Sequence, residues 1–299
     1  MSHTAYFFQQ FINALSLGSI YALVTIGLAM VFSILRLINF AHGDLMMIGS
    51  YSILMLWNAG VPVWMAILAG IVLCGIAGVI MERVCYRPLR GSAEMTTLLT
   101  SFAVVVLLEN GVTLLFGPNT RPFRILNFTS PTFSIDSILI SKIDVISVVL
   151  TLIILLLTTL FIKKTTIGIS MRAVADDLTA SHLVGIRLNR VIVSAFFIGS
   201  LFAGVAGLLW SARAGKLYPL MGFIPVVKAF VAAVIGGFGS IPGAVVGGYV
   251  LGFAEVFLVA LLPPELQGYR DAFVFILLIF ILLVRPQGIL GAKTMQRRI

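Results

Sequence analysis

The chain has 299 residues, of which 60% are hydrophobic and only 10% are charged, and it also contains 28 glycines. Soluble globular domains carry roughly 25% charged residues, so this composition excludes a soluble enzyme and a disordered chain. The formal net charge is +9. The basic residues stand in short clusters beside apolar runs, which is typical of membrane orientation signals and excludes a nucleic-acid-binding surface.

Long apolar runs divide the chain into membrane spans, since a helix needs about 20 residues to cross ~30 Å of hydrocarbon. Phe40–Trp57 opens on polar residues and predicts a short, broken or re-entrant helix. Phe223–Leu262 predicts two spans that meet at a glycine-rich turn, and Leu266–Val284 predicts a last span. Five other runs predict complete spans, namely Phe11–Leu35, Pro62–Met81, Thr96–Phe116, Val145–Ile162 and Val191–Trp210.

These runs predict an all-α polytopic membrane protein with about eight to nine transmembrane helices, formed by a single domain over residues 1–299. Lysine and arginine in short loops are retained on the cytoplasmic side of a membrane. We therefore expect an external N-terminus, an external loop at about 117–143, a cytoplasmic loop at about 163–190 and a cytoplasmic C-terminus. The clusters that set this orientation are Arg83, Arg87 and Arg90, then Lys163, Lys164, Arg172, Arg187 and Arg190, then Arg285, Lys293, Arg297 and Arg298.

A polar cluster opens the second apolar run and contains Asn39, His42, Gly43 and Asp44. One interpretation is that Asn39 or Asp44 caps the following helix, because an oxygen acceptor satisfies the free N–H groups there. The alternative is that the cluster packs against a transport path or a coupling region and holds a bent helix in one of two states, since polar groups are costly in lipid. His42 by itself does not make a metal site.

A second break falls in the glycine-rich tract that contains Gly236, Gly237 and Gly239, for which a tight turn is expected. It suggests an internal duplication in which 39–49 corresponds to 236–247, and broken helices at matching positions point to a substrate path. The small-residue pairs that follow this tract, beginning at Gly243 and Gly248, predict close helix packing.

The segment Ser170–Ile186, which follows the predicted span Val145–Ile162, predicts one short amphipathic cytoplasmic helix that ends at Gly185. Its apolar residues recur at helical spacing. The remaining face is small and acidic, whereas helices that rest on lipid are basic and bulky, so docking to a soluble protein partner is favoured. The docking residues are predicted to be Arg172, Ala173, Ala175, Asp176, Asp177 and Gly185.

Three charged residues, Glu109, Lys228 and Glu255, fall inside apolar runs at similar predicted depths. One interpretation is a buried ion pair between Lys228 and either Glu109 or Glu255. The other is that they bind a substrate or relay protons.

The sequence lacks the motifs of common catalytic sites, including the Gly-x-x-x-x-Gly-Lys-Ser/Thr phosphate loop and the His-Glu-x-x-His zinc motif. We therefore expect that the chain is not an enzyme and holds no cofactor or metal. Its loops are too short for a ligand-capturing domain, so energy and substrate capture must come from other proteins.

Three segments resemble the permease subunits of bacterial branched-chain amino acid ABC importers, the LivH type, to which urea and amide permeases are related. The first runs from Gly27 to Tyr51 and includes Ile38–Asp44. The second is Arg172–Ile186, which is similar to the family's ATPase-contacting loop, and the third is Val234–Gly243.

The resemblance implies a multi-pass subunit of the bacterial inner membrane that imports a small polar solute, with branched-chain amino acids expected, by alternating access. It implies a second homologous permease in a heterodimer, two cytoplasmic ATPases that carry ATP and magnesium, and a periplasmic binding protein. The cytoplasmic helix would couple to the ATPases, and the two broken segments would border the substrate path. The alternative function is an ion-coupled secondary transporter that uses Glu109, Lys228 and Glu255.

Overall fold

The computed structural model describes residues 3–125, 131–135 and 138–291. Its helices are α1 (His3–Leu35), α2 (His42–Asn58), α3 (Val63–Met81), α4 (Glu94–Phe116), α5 (Lys142–Lys164), α6 (Thr166–Asp176), α7 (Leu178–Leu183), α8 (Leu188–Ala214), α9 (Phe223–Gly236), α10 (Ile241–Leu261) and α11 (Arg270–Val284). A π turn and a 3-10 turn extend α3 to Leu89, and another 3-10 turn, Pro264–Tyr269, precedes α11. Two antiparallel pairs join β1 (Arg121–Pro122) to β4 (Lys216–Leu217) and β2 (Pro131–Ile135) to β3 (Ile138–Ser141).

Seven of the described helical segments are long and apolar enough to cross a membrane, which confirms the all-α membrane class: α1, α3, α4, α5, α8, α10, and α11 joined to the 3-10 turn before it as Pro264–Val284. The helices α2, with 17 residues, and α9, with 14, are shorter. At ~1.5 Å per residue they are only about 26 and 21 Å long, less than the hydrocarbon thickness. The run Phe223–Leu262 does form two helices that meet at a turn, but the first of them is too short to cross by itself.

The two ends of the helix bundle are named here by their basic residues. The Arg36 end is where α1 finishes, and the turn between α9 and α10 lies beside it, with Phe238 packed on Phe32. The Arg121 end carries the β1–β4 pair. The helix α1 begins at the Arg121 end, where Gln9 binds the Leu139 carbonyl oxygen.

The helices α1 and α8 form the centre of the bundle and run antiparallel. Gly27 of α1 packs against Gly199 of α8, and Ser16 in the first half of α1 accepts a 2.7 Å hydrogen bond from Arg213 near the end of α8. Most of both helices is buried because each is surrounded by other helices.

The remaining helices repeat one arrangement around this centre. The helix α10 packs along α1, with Gly248 against Ala22, and α3 packs along α8, with Gly78 against Ser200. The short helix α2 lies between α3 and α8, while α9 lies between α10 and α1. Because α1 and α8 run in opposite directions, α1–α4 and α8–α11 form two repeats of inverted orientation, as in many transporter folds.

Both short helices begin inside the bundle. The His42 ring at the start of α2 lies against Gly27, which is eight residues before the end of α1 and therefore about 12 Å along the helix from it. The start of α9 at Gly222 lies against Gly43. The expected correspondence between 39–49 and 236–247 is therefore wrong, because the start of α2 is matched by the start of α9, whereas the tract at Gly236 forms the turn at the Arg36 end.

Candidate functional site

The backbones of Gly43 and Gly222 meet where α2 and α9 begin. A Cβ atom placed on Gly43 would lie 2.7 Å from the carbonyl carbon of Gly222, and one placed on Gly222 would lie 2.5 Å from that of Gly43. Carbon atoms do not approach backbone so closely, so only glycine fits at either position. The break predicted at Gly43 is therefore one side of a contact between two short helices.

The polar residues predicted at this break are buried. Asn39 accepts a 2.7 Å hydrogen bond from the Tyr86 hydroxyl group. His42 Nε2 and both carboxyl oxygens of Asp44 have no hydrogen-bond partner among the described residues. The residue before α2 is Ala41, and no side chain caps the helix. The expectation that Asn39 or Asp44 caps α2 is therefore wrong, because Asn39 binds Tyr86 and Asp44 lies within the first turn.

A row of aromatic rings, which we call the aromatic ladder, connects the two predicted breaks. Phe40 precedes α2 and Phe238 lies in the turn between α9 and α10. Phe230 of α9 stands between them, 5.7 Å from Phe40 and 5.2 Å from Phe238 between ring centroids. The ladder continues to Phe102 of α4 at 4.8 Å from Phe40, and to Phe32 of α1 at 4.2 Å from Phe238. The segments at Asn39–Asp44 and Gly236–Gly239 thus belong to one continuous surface.

The helices α2 and α4 face each other along a seam, which we call the α2–α4 groove, and a pair of stacked rings lies at each end of it. Phe40 stacks on Phe102 at 4.8 Å, and Tyr51 stacks on Phe116 at 5.0 Å toward the Arg121 end. Asp44 of α2 and Glu109 of α4 lie between the two stacks along their helices. Glu109 is half-buried, whereas Asp44 is fully buried.

Lys228 and Glu255 form a buried ion pair of 2.7 Å between α9 and α10. The Tyr21 hydroxyl group donates to Glu255, and Asp271 and Arg270 at the start of α11 complete the network. Glu109 was expected at the same place, but it lies on α4 in the α2–α4 groove and takes no part in this network. Glu109, Lys228 and Glu255 were predicted to lie at similar depths in the membrane, but similar depth does not show which helices are neighbours.

The predicted docking segment forms two helices rather than one. The helix α6 ends at Asp176, and the Asp177 side chain accepts a 2.9 Å hydrogen bond from the Ala180 backbone N–H as the cap of α7. Because the chain changes direction there, Leu178 is 43% exposed and leaves the buried face of α6. Gly185 follows α7 with φ +85°, which agrees with the helix end predicted there.

The face of this segment that points away from the bundle is accessible. Arg172 and Asp176 on α6 are exposed, and Leu183 and Val184 at the end of α7 are 81% and 77% exposed. Ala173 and Ala175 are half-buried. The exposed surface therefore combines charge with two large apolar side chains, a composition suited to contact with another protein.

A cleft of about 1050 Å³ opens at the Arg36 end between α7, the start of α8 and the connection from α3 to α4. Arg90 lies in its wall, where it forms an ion pair with the buried Glu82 and donates a 2.5 Å hydrogen bond to Asn189. Arg36 in the same wall has φ +56°, the one positive φ among the described residues other than glycine. The cleft places the docking segment next to the ends of α1, α3 and α4.

Several site residues were missed by sequence reasoning. Tyr86 and Glu82 follow an apolar run and were not singled out, and Arg90 was counted only as part of a basic cluster. The ladder residues Phe102 and Phe230 look like ordinary lipid-facing side chains in the sequence. Their neighbours in space come from other helices, and no local spacing marks them.

Comparison with known proteins identifies relatives along nearly the whole chain. Residues 10–282 match the family model described as branched-chain amino acid transport system / permease component. The chain is 38% identical to the high-affinity branched-chain amino acid transport system permease protein BraD of Pseudomonas aeruginosa, over 99% of this chain and 100% of BraD. It is 39% identical to the permease protein LivH of Escherichia coli K12, over 98% of each chain.

A solved structure has a related fold. The structure described as PsaBC from Streptococcus pneumoniae in complex with Fab aligns with a TM-score of 0.52 and 12% identity, over 92% of this chain and 91% of that chain. At this identity the alignment supports the helix arrangement and carries no information about substrate.

Proposed function

The chain belongs to the family of permease components of branched-chain amino acid transport systems, and from this membership we propose that it forms half of the membrane pore of an ATP-driven importer of branched-chain amino acids. The multi-pass helical bundle provides the membrane part. The chain has no phosphate loop for ATP, so the energy comes from a partner.

The structural observation that supports alternating access in this proposal is the contact between α2 and α9 inside the bundle. Each short helix begins at a glycine that allows its backbone to touch the other. Two short helices in opposite repeats can shift against each other without breaking a long helix, which suits alternating access. The aromatic ladder beside this contact would close the path toward the Arg36 end.

Partner subunits supply the functions that this chain lacks. Two ATPases with ATP and magnesium would dock on α6 and α7, a second homologous permease would complete the pore as a heterodimer, and a periplasmic binding protein would deliver the substrate at the Arg121 end. The Arg36 end carries most of the basic residues and would face the cytoplasm of the bacterial inner membrane.

Reconstitution tests the proposal. The chain is co-expressed with its candidate partners, purified and placed in liposomes, and uptake of radiolabelled leucine is measured with loaded binding protein. We expect co-purified ATPase subunits and uptake that requires ATP. Uptake by the chain alone, driven by an ion gradient, would contradict the proposal and favour a secondary carrier that uses Glu109, Lys228 and Glu255. The separation of Glu109 from the ion pair argues against that carrier.

A further inference from the structure

The α2–α4 groove holds two carboxyl groups without a cation. Among the residues that the structure describes, both oxygens of Asp44 lack a hydrogen-bond partner, and Glu109 has no basic group within ion-pair distance. Elsewhere in the same bundle carboxylates are paired, as Glu82 is with Arg90, Asp144 with Arg213 and Glu255 with Lys228. An unpaired carboxylate at this depth is costly, and intramembrane ionisable groups without a structural partner mark ligand or ion paths.

The two ring stacks enclose both carboxyl groups within the same stretch of the α2–α4 groove. The helices α2 and α4 both run toward the Arg121 end, and the stacks Phe40–Phe102 and Tyr51–Phe116 fix their relative height. Asp44 follows Phe40 by four residues, and Glu109 follows Phe102 by seven residues. Glu109 is partly exposed, whereas Asp44 lies on the buried face of α2.

The chemistry of this pair favours an organic ammonium group. Two carboxylates attract a cation. A metal ion needs more ligands, and no group of three His, Cys, Asp or Glu side chains that could hold one occurs in the described residues. An ammonium group forms three charge-assisted hydrogen bonds and needs no further anionic ligand.

We propose that Glu109, together with Asp44 on α2, binds the α-ammonium group of the amino acid as it passes through the α2–α4 groove. This inference rests on the proposed function and adds to it a recognition step within the membrane. The carboxylate pair selects solutes that carry a primary amine. The apolar ring stacks on either side provide contact surface for a branched aliphatic side chain.

The test uses the complete transporter in liposomes, with leucine-loaded binding protein at saturation. Glu109→Gln keeps the shape of the side chain and removes its charge, Glu109→Asp keeps the charge, and Glu265→Gln in the exposed turn before α11 is the matched control. Leucine uptake is measured with and without isoamylamine, which has the amine and side chain of leucine, or isocaproate, which has the carboxylate and side chain. ATP hydrolysis and co-purification of the ATPases are recorded for each variant.

For Glu109→Gln we expect leucine uptake to fall about tenfold, the worth of one charged hydrogen bond, with ATPase binding and hydrolysis unchanged. Isoamylamine should inhibit the wild type and Glu109→Asp but not Glu109→Gln, and isocaproate should inhibit none of them. Normal uptake by Glu109→Gln would overturn the inference. The inference would also be overturned if Glu109→Gln lost uptake while isoamylamine did not inhibit the wild type. Asp44 and Glu109 would then act as a proton-sharing pair rather than as an amine-binding site. A wild type that takes up no leucine with ATP would instead contradict the proposed function itself.

Discussion

Gly43 shows how the absence of a Cβ atom at one residue determines where two helices meet. Its Cα faces the backbone of Gly222, and a Cβ atom at either residue would overlap backbone, which cannot move aside as a flexible side chain can. Gly27 provides the matching space for the His42 ring, because a Cβ there would lie 2.5 Å from His42 Nε2. Glycine is selected at these positions by contact rather than by backbone angle, since the φ values of Gly27, Gly43 and Gly222 are all ordinary.

We predict that Gly43→Ala disrupts the junction of α2 and α9. The added methyl group forces the two backbones apart, at a cost of about 2 kcal/mol for overpacking, and leucine uptake by the assembled transporter should be lost. The control is Gly111→Ala on α4, where a Cβ atom meets nothing within 4 Å. Thermal unfolding in detergent and uptake in liposomes are measured for both variants. Equal behaviour of the two variants would show that the Gly43 contact is not required.

The residue types at the site were predictable and their partners were not. Asn39, His42, Gly43 and Asp44 stand out in the sequence because polar groups interrupt an apolar run. Their actual surroundings depend on residues far along the chain, as when Tyr86 binds Asn39. Local spacing alone predicted a capping role for Asp44. In the structure Asp44 lies within the first turn of α2, on the buried side of the helix.

At the scale of elements, the docking segment is defined by its two caps. Thr165 accepts a 3.0 Å hydrogen bond from the Gly168 backbone N–H at the start of α6, and Asp177 serves α7 in the same way. Helical spacing alone predicted one continuous helix through Asp177, because the apolar residues keep their period across the break. An aspartate in extended conformation at the joint interrupts the helix, and spacing carries no signal for that.

We predict that Asp177 acts on ATPase coupling through its cap and not through its charge. Asp177→Ala removes the cap, at a cost of about 1 kcal/mol, and should weaken ATPase co-purification and uptake by loosening α7. Asp177→Asn should retain both, because asparagine caps as well as aspartate does. Asp176→Asn on the exposed end of α6 is the matched charge control. If Asp177→Asn fails as Asp177→Ala does, the charge itself contacts the partner.

The lengths of the elements explain which parts of the fold the sequence predicts well. Long apolar runs give seven helical spans close to those predicted, because lipid requires every span to satisfy its own hydrogen bonds. The main difference is at α1, which begins at His3, eight residues before the predicted start at Phe11. The run at Phe40–Trp57 was correctly expected to be short. Where a short helix starts in the bundle is decided by packing on glycines of other helices, so its depth could not be predicted from composition.

At the scale of the whole molecule, the two inverted repeats and the helix α5 between them make nine traversals between the Arg36 end and the Arg121 end, within the part of the chain that the structure describes. Seven are made by long helices, and two by α2 and α9 together with the non-helical segments before them. The duplication could not be recognised from glycine-rich breaks alone, because one of those breaks is a turn between helices. The two repeats correspond because equivalent helices make equivalent contacts: α2 packs between α3 and α8, and α9 packs between α10 and α1. Such contacts are visible only in the three-dimensional structure.

The distribution of charge between the two ends leads to a prediction of orientation. Basic residues are denser at the Arg36 end, so that end is expected to face the cytoplasm. Two single cysteines test this in a Cys85→Ser background, in which the remaining Cys74 is fully buried. Asn119→Cys is exposed near β1, and Leu183→Cys is exposed on α7.

A maleimide that does not cross membranes should label Asn119→Cys in spheroplasts and leave Leu183→Cys unlabelled, and the pattern should reverse in inside-out vesicles. The two positions lie at opposite ends of the same bundle, so one orientation cannot expose both to the same side. Labelling of Leu183→Cys in intact spheroplasts would place the docking segment outside the cell. A cytoplasmic ATPase would then have no access to α6 and α7, and ATP-driven transport by this chain would be ruled out.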